Sequence, residues 1–132
     1  MSEFCWPVRV YYEDTDAGGV VYHASYLRYF ERGRTEWLRA QGCSQAQLIK
    51  EQAVVFTVVS LDIQYHKPAR LDELLQVVTQ PKVAGGASLE FEQQLQRDDG
   101  HVLARGKALV ACVDATSFKP RRLPAALRMR IP

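Results

Sequence analysis

Residues 13–42 read EDTDAGGVVYHASYLRYFERGRTEWLRAQG, and this stretch decides the fold because it joins an acidic glycine loop to a long amphipathic helix. From Ser25 to Gln41 the bulky apolar side chains recur at spacings of three and four, which places them on one helix face. These positions are Tyr26, Phe30, Trp37 and Leu38, with Gly33 or Arg34 between them. Arg32 and Glu36 are predicted to pair across one turn on the opposite face, and Gly42 is predicted to end the helix as a left-handed cap.

Two shorter elements flank this helix. Before it, apolar and polar residues alternate up to the turn at 14–19, which predicts a half-buried strand whose inner residues are Val8, Val10 and Tyr12. After it, Ser44 with Gln47 forms a capping-box pattern, which predicts a short second helix ending near Glu51.

In the rest of the chain, apolar and polar residues alternate with a period of two, which is typical of strands. A long strand is predicted after residue 53 and ends at Pro68, and its inner face is predicted to carry Val55, Thr57, Val59, Leu61, Ile63 and Tyr65. Three further strands follow, with inner positions Leu75, Val77, Thr79; Leu89, Phe91, Leu95; and Val102, Ala104, Gly106, Ala108, Val110, Cys112. The side chains of the last strand are mostly small, so this strand is predicted to form a floor on which Phe30, Trp37 and Leu38 of the helix pack. We therefore expect an α+β fold in which one five-stranded antiparallel sheet curls around the long helix.

Composition limits the classes of protein that fit. The chain has 132 residues, of which 47% are hydrophobic and 24% charged, so it has the material for one buried core rather than a disordered chain. The net charge of +2 is too small to favour nucleic-acid binding across the whole surface. The three cysteines lack the spacing of a zinc site or disulfide framework, and no early apolar stretch is long enough for a signal peptide. We expect reduced thiols, no metal and a cytoplasmic location.

Residues Glu13 to Tyr26 are the segment in which chemistry is most expected. A helix N-terminus presents unpaired amide hydrogens that can polarise a carbonyl, and a nearby carboxylate can attack that carbonyl or activate water. Glycines before the helix let the backbone approach a ligand closely. Acyl transfer from an ester or thioester fits this combination, whereas the alternative interpretation is a solvated Asp-Thr-Asp turn.

The sequence YEDTDAGGVVYHASYLRYFERGRTEWLR, residues 12–39, closely resembles the 4-hydroxybenzoyl-CoA thioesterase family of the hotdog-fold superfamily, in particular its YbgC-like acyl-CoA thioesterase branch. The similarity continues in IQYHKPARLDEL, residues 63–74, and covers roughly residues 8 to 114. It implies a hotdog fold, hydrolysis of acyl-CoA without a further cofactor, and homodimers or homotetramers with active sites between subunits. The domain core would then span about 8–114 of a single domain, followed by a basic tail at 115–132.

The resemblance also implies roles for individual residues. Asp16 becomes the catalytic carboxylate, either as nucleophile or as general base, and Asp14 supports it or forms the turn. The backbone amide of His23 polarises the thioester carbonyl, and its imidazole either shares the acid–base work or only forms a local hydrogen bond. Residues expected at the substrate are Gly18, Gly19, Val20 and Tyr26, although Tyr26 is alternatively a packing residue.

Other candidates carry weaker signals. Glu31 and Glu36 could supply a carboxylate from the long helix, but their spacing from arginines fits surface ion pairing. The acid-free C-terminal end could contact CoA phosphates, an acyl carrier protein or an anionic membrane, or could be a solvated tail. This leaves an alternative function, an acyl-binding adaptor that contacts acyl carrier protein or an envelope (Tol-Pal) complex.

Overall fold

A computed structural model describes residues 3–131 and shows a five-stranded antiparallel sheet with one long helix on its inner face. The strands are β1 Phe4–Arg9, β2 Val54–Tyr65, β3 Leu74–Gly85, β4 Ser88–Arg97 and β5 Val102–Asp114. The helices are α1 Ser25–Ala40, α2 Gln45–Gln52 and α3 Ala125–Arg128, with a 3-10 turn at Tyr12–Asp14. The spatial order is β1-β3-β4-β5-β2, so β1 and β2 form the two edges. The predicted α+β class, with one five-stranded antiparallel sheet, is confirmed.

Helix α1 packs on the sheet as its spacing predicted. Its buried residues include Tyr26, Phe30, Trp37 and Leu38. The ring of Phe30 lies directly on the small-residue floor, because a methyl group at Gly106 would be only 3.0 Å from a Phe30 ring carbon. Gly42 has a φ of +85°, as expected for the residue that ends the helix.

One predicted ion pair on α1 is different in the structure. Glu36 contacts Arg39 at 2.7 Å, instead of the expected Arg32. Both spacings, three and four residues, bring side chains together on a helix surface, so the pattern alone does not choose between them. No helix within residues 3–131 combines the length and the apolar character that crossing a membrane requires.

The first strand lies earlier in the chain than its pattern predicted. It spans Phe4–Arg9, and Val8 and Val10 are buried as expected. Tyr12, however, is 83% exposed, so its assignment to the inner face is wrong. The reason is local: the 3-10 turn begins at Tyr12, and the Asp14 carboxylate accepts a hydrogen bond from the Tyr11 N–H at 2.9 Å. This turn breaks the period of two.

A bulge in β2 also changes which residues face inward. Val58 pairs with Val110 of β5 and Ser60 with Leu109, so Val59 is an extra residue and is 59% exposed. The bulge reverses the alternation, and the inner residues are Val54, Phe56 and Val58 before it and Leu61, Ile63 and Tyr65 after it. The prediction of Val55, Thr57 and Val59 for the inner face is therefore wrong.

A second bulge lies at the start of β5. Leu95 pairs with Ala104 and Gln96 with Val102, which leaves Leu103 as the extra residue, and it is fully buried. Val102 was predicted for the inner face, but it is paired with Gln96 on the other side. The remaining inner positions of β5 are confirmed.

The segment expected to be a basic tail is part of the core instead. The Arg121 N–H donates to the Cys112 C=O at 2.9 Å, and the Leu123 N–H donates to the Gly86 C=O at 3.0 Å. Three apolar side chains of this segment are buried, namely Leu123, Leu127 and Ile131. The buried core therefore extends beyond residue 114, because these side chains share one cluster with Trp37 and Leu38 of α1 and with residues of β4 and β5.

Candidate active site

The loop that carries Asp16 is closed by its own hydrogen bonds. The Asp16 N–H donates to the Val20 C=O at 2.9 Å, and the Gly19 N–H donates to the Asp16 C=O at 3.0 Å. The carboxylate oxygen Oδ1 accepts the Gly18 N–H at 2.8 Å. Gly19 has a φ of +79°, which a residue with a side chain adopts only with strain. The exposed Asp16 side chain thus starts from a rigid backbone, and its other oxygen remains available.

Helix α1 begins directly after this loop without a side-chain cap. The residue before it is Ala24, which has no oxygen to offer the first amide hydrogens. The Ser25 N–H donates to the Tyr22 C=O at 2.8 Å, but the His23 N–H has no hydrogen-bond acceptor among residues 3–131. An unpaired amide at a helix start is the donor expected for a developing oxyanion. The exposed His23 ring lies 4.5 Å from the Tyr22 ring, measured between centroids.

Asp14 is part of the scaffold below the loop. It is only 5% exposed, and its carboxylate accepts the Tyr11 N–H, while its C=O accepts the Tyr22 N–H at 2.8 Å. Burial raises the pKa of Tyr29, and the neighbouring Asp14 carboxylate raises it further. The Tyr29 hydroxyl still makes no hydrogen bond of good geometry within the described chain. Of the two predicted options for Asp14, the structure shows a turn-forming residue.

Tyr26 lies under the loop rather than beside it. It is 3% exposed, and its hydroxyl accepts the Ala69 N–H at 3.1 Å. Burial raises the pKa of Tyr26. This position favours the packing role over direct contact with substrate.

The turn after β2 holds the loop from the other side. The Val21 N–H donates to the Ala69 C=O at 2.9 Å, and Val20 forms an antiparallel bridge with Arg70. The segment 63–74, which was noted in the sequence for its resemblance to the thioesterase family, therefore contacts the end of the Asp16 loop. Sequence reasoning did not identify Ala69 as part of the site, and its residue type contains no signal for this role, since only its backbone is used.

An ion pair fixes this turn in place. Arg97 of β4 contacts Glu73 at 2.6 Å and donates to the Pro68 C=O at 3.0 Å. Glu73 in turn accepts the Arg70 N–H at 2.7 Å. The hydrogen bond from Arg97 lowers the pKa of Glu73. Neither residue was singled out from the sequence, because the two partners are 24 positions apart.

The other predicted candidates lie elsewhere. Glu31 accepts a hydrogen bond from Thr35 at 2.6 Å on α1, and Glu36 pairs with Arg39, so both glutamates are engaged in local contacts. At the C-terminal end, Arg121 contacts Asp114 at 3.0 Å. The other basic side chains there are exposed, namely Lys119, Arg122, Arg128 and Arg130.

Two clefts on the described part of the chain lie away from Asp16 and His23. A cleft of about 370 Å³ lies on the outer sheet face, and one of about 120 Å³ lies between α1 and β2, and neither is lined by Asp16 or His23. Within residues 3–131 no group of three His, Cys, Asp or Glu side chains is placed to hold a metal ion.

Comparison with known proteins gives consistent matches. The family model described as "Thioesterase-like superfamily" matches residues 10–131. The chain is 48% identical over 124 residues to the acyl-CoA thioester hydrolase YbgC of Escherichia coli O6:H1, covering 94% of this chain and 92% of that protein. It is 49% identical over 125 residues to the acyl-CoA thioesterase YbgC of Haemophilus influenzae, covering 95% and 91%. Among solved structures, a probable thioesterase from Bartonella henselae superposes with a TM-score of 0.88 at 36% identity, covering 93% of this chain and 100% of that one.

Proposed function

Because the chain belongs to the thioesterase-like superfamily and is a thioester hydrolase, we propose that its substrates are acyl-CoA thioesters and that Asp16 supplies the reacting carboxylate. One observation carries the assignment of Asp16. Its carboxylate is held on a rigid loop that leads straight into the uncapped start of α1, where the His23 amide is unpaired.

Each part of this arrangement has a role in breaking the thioester bond. The His23 N–H, with the positive end of the α1 dipole behind it, stabilises negative charge that develops on the carbonyl oxygen. Gly18, Gly19 and Val20 form the backbone that the thioester lies against. The absence of a side chain at Gly19 leaves this approach open, since no atom lies within 4 Å of where its Cβ would be.

Asp16 can act by either of two routes. As a general base it takes a proton from water, the water oxygen attacks the carbonyl carbon, and the C–S bond breaks. As a nucleophile its own oxygen attacks, the thiolate leaves, and water then hydrolyses the resulting anhydride. In both routes the leaving thiolate gains a proton to become the free thiol, and in this proposal the exposed His23 imidazole donates that proton.

The decisive experiment compares Asp16→Asn with wild type on a panel of acyl-CoAs, with thiol release as the readout. Asparagine keeps an oxygen for the Gly18 N–H, so the loop keeps its shape while the negative charge is lost. We expect kcat to fall by roughly 10² to 10⁴-fold, the usual contribution of a general base.

Asp98→Asn is the matched control, because Asp98 is an exposed acid on the turn between β4 and β5. It should retain wild-type kcat. If folded Asp16→Asn is as active as wild type, the role of Asp16 is wrong; if wild type releases no thiol from any acyl-CoA, the substrate class is wrong.

We also propose that the active form is a homodimer or a larger assembly. The edge strand β2 has an unpaired side and exposes several large apolar residues, namely Val58, Val59, Leu61 and Tyr65. Exposed apolar edges are commonly covered by pairing with another strand. Since β2 ends at Tyr65 beside His23, a partner along this edge would also enclose the exposed Asp16 site.

A further inference from the structure

The hydroxyl group of Tyr65 contacts the backbone of His23 directly before α1. Tyr65 is the last residue of β2, and its Oη donates to the C=O of His23 at 2.8 Å. Its ring packs edge-on against the buried Tyr26, with 5.0 Å between centroids and an interplanar angle of 89°. The ring packing restricts where the phenolic oxygen lies, so the hydrogen bond starts from a defined position.

The His23 carbonyl needs this partner because the helix does not provide one. In a regular α-helix the C=O of residue 23 would accept the N–H of residue 27. Here the Leu27 N–H donates to the Ala24 C=O instead, at 3.2 Å. Without Tyr65 the His23 carbonyl would have no protein donor among residues 3–131, and the peptide unit joining His23 to Ala24 would lose the side-chain contact that fixes its orientation.

We infer that Tyr65 is a positioning residue: its hydroxyl fixes the peptide unit that follows His23, and thereby holds the turn at His23 in which the N–H of the preceding peptide unit points toward the thioester carbonyl. This inference rests on the proposed function, since it assumes that the His23 amide stabilises the oxyanion. Hydrogen bonding to a carbonyl also polarises the attached amide, so the same contact strengthens the Ala24 N–H as a donor. A tyrosine hydroxyl is protonated near neutral pH because its ordinary pKa is about 10, and partial burial raises the pKa of Tyr65 further.

The test is Tyr65→Phe, which removes one oxygen and keeps the ring that packs on Tyr26. We expect kcat to fall about 3- to 30-fold with KM changed less than about twofold, because only the transition state uses the oriented amide. In ¹³C NMR the carbonyl shift of His23 should move upfield, as for a lost hydrogen bond. Tyr11→Phe is the matched control, since Tyr11 is 61% exposed and its hydroxyl has no partner within the described chain; it should match wild type.

The outcomes separate this inference from the proposed function. If wild type is active and Asp16→Asn is not, an unchanged kcat in Tyr65→Phe overturns the inference alone. A rise in KM without loss of kcat would show direct substrate contact, and a loss of kcat that parallels a large loss of thermal stability would show a purely structural role; both overturn it. An unmoved His23 carbonyl shift overturns it even if the true substrate is not an acyl-CoA.

Discussion

The substitution Gly33→Ala tests how closely α1 must approach the sheet. Gly33 lies in the middle of α1 and is buried. An added methyl group would lie 2.5 Å from Cγ1 of Val77, 2.9 Å from Oγ1 of Thr79 and 3.1 Å from Nε2 of Gln93. Since carbon atoms normally sit about 3.5–4.0 Å apart, α1 and β3 would have to separate by about 1 Å.

The cost of this separation follows from what it disrupts. Overpacking a core costs about 1–3 kcal/mol. The separation also lengthens the hydrogen bond that Gln93 Nε2 donates to the Phe30 C=O, which is 2.9 Å in the wild type. Leaving a buried amide without its hydrogen bond costs about 1–3 kcal/mol. Alanine gains about 1 kcal/mol over glycine from helix propensity. We therefore expect the free energy of unfolding to fall by about 1 to 5 kcal/mol.

The assay is urea unfolding at fixed protein concentration, followed by circular dichroism. Gly86→Ala is the matched control, because no atom lies within 4 Å of where its methyl group would be. The control should stay within about 0.5 kcal/mol of wild type. Val77→Ala should partly rescue Gly33→Ala, with a coupling of at least about 1 kcal/mol, because it removes the nearest clashing atom. If Gly33→Ala is as stable as wild type, the close approach of helix and sheet is refuted.

Two further predictions concern the ion pair and the edge strand. Arg97 lowers the pKa of Glu73, so the pair stabilises the fold above the ordinary glutamate pKa of 4.5, and this contribution is lost as the pH falls through the lowered value. Glu73→Gln should therefore cost up to about 1 kcal/mol at pH 7 and progressively less below pH 4.5; a pH-independent difference in urea unfolding would contradict this. In sedimentation, wild type should exceed the mass of 15.0 kDa at least twofold, and Val59→Lys should shift the population toward monomer, whereas an unchanged mass would exclude β2 as the interface.

The periodic parts of this protein could be predicted from the sequence because burial repeats locally. One face of α1 carries Phe30, Trp37 and Leu38 whatever the rest of the fold, because helix geometry alone brings them together. Gly106 lies under Phe30, as the small side chains of β5 predicted. The glycine loop before α1 was also readable, since Gly19 has the positive φ that favours glycine.

Tertiary structure decided the features that depend on a distant partner. A bulge is an extra residue relative to the neighbouring strand, as at Val59 and Leu103. The pattern of one strand alone therefore does not reveal which side chains face inward after the bulge. The same holds for the hydrogen bond between Tyr65 and His23, 42 positions apart, because only the folded chain brings the end of β2 next to the start of α1. The sequence by itself thus determined the helix, the strands and the acidic loop, whereas only the folded sheet decided which residues hold that loop in place.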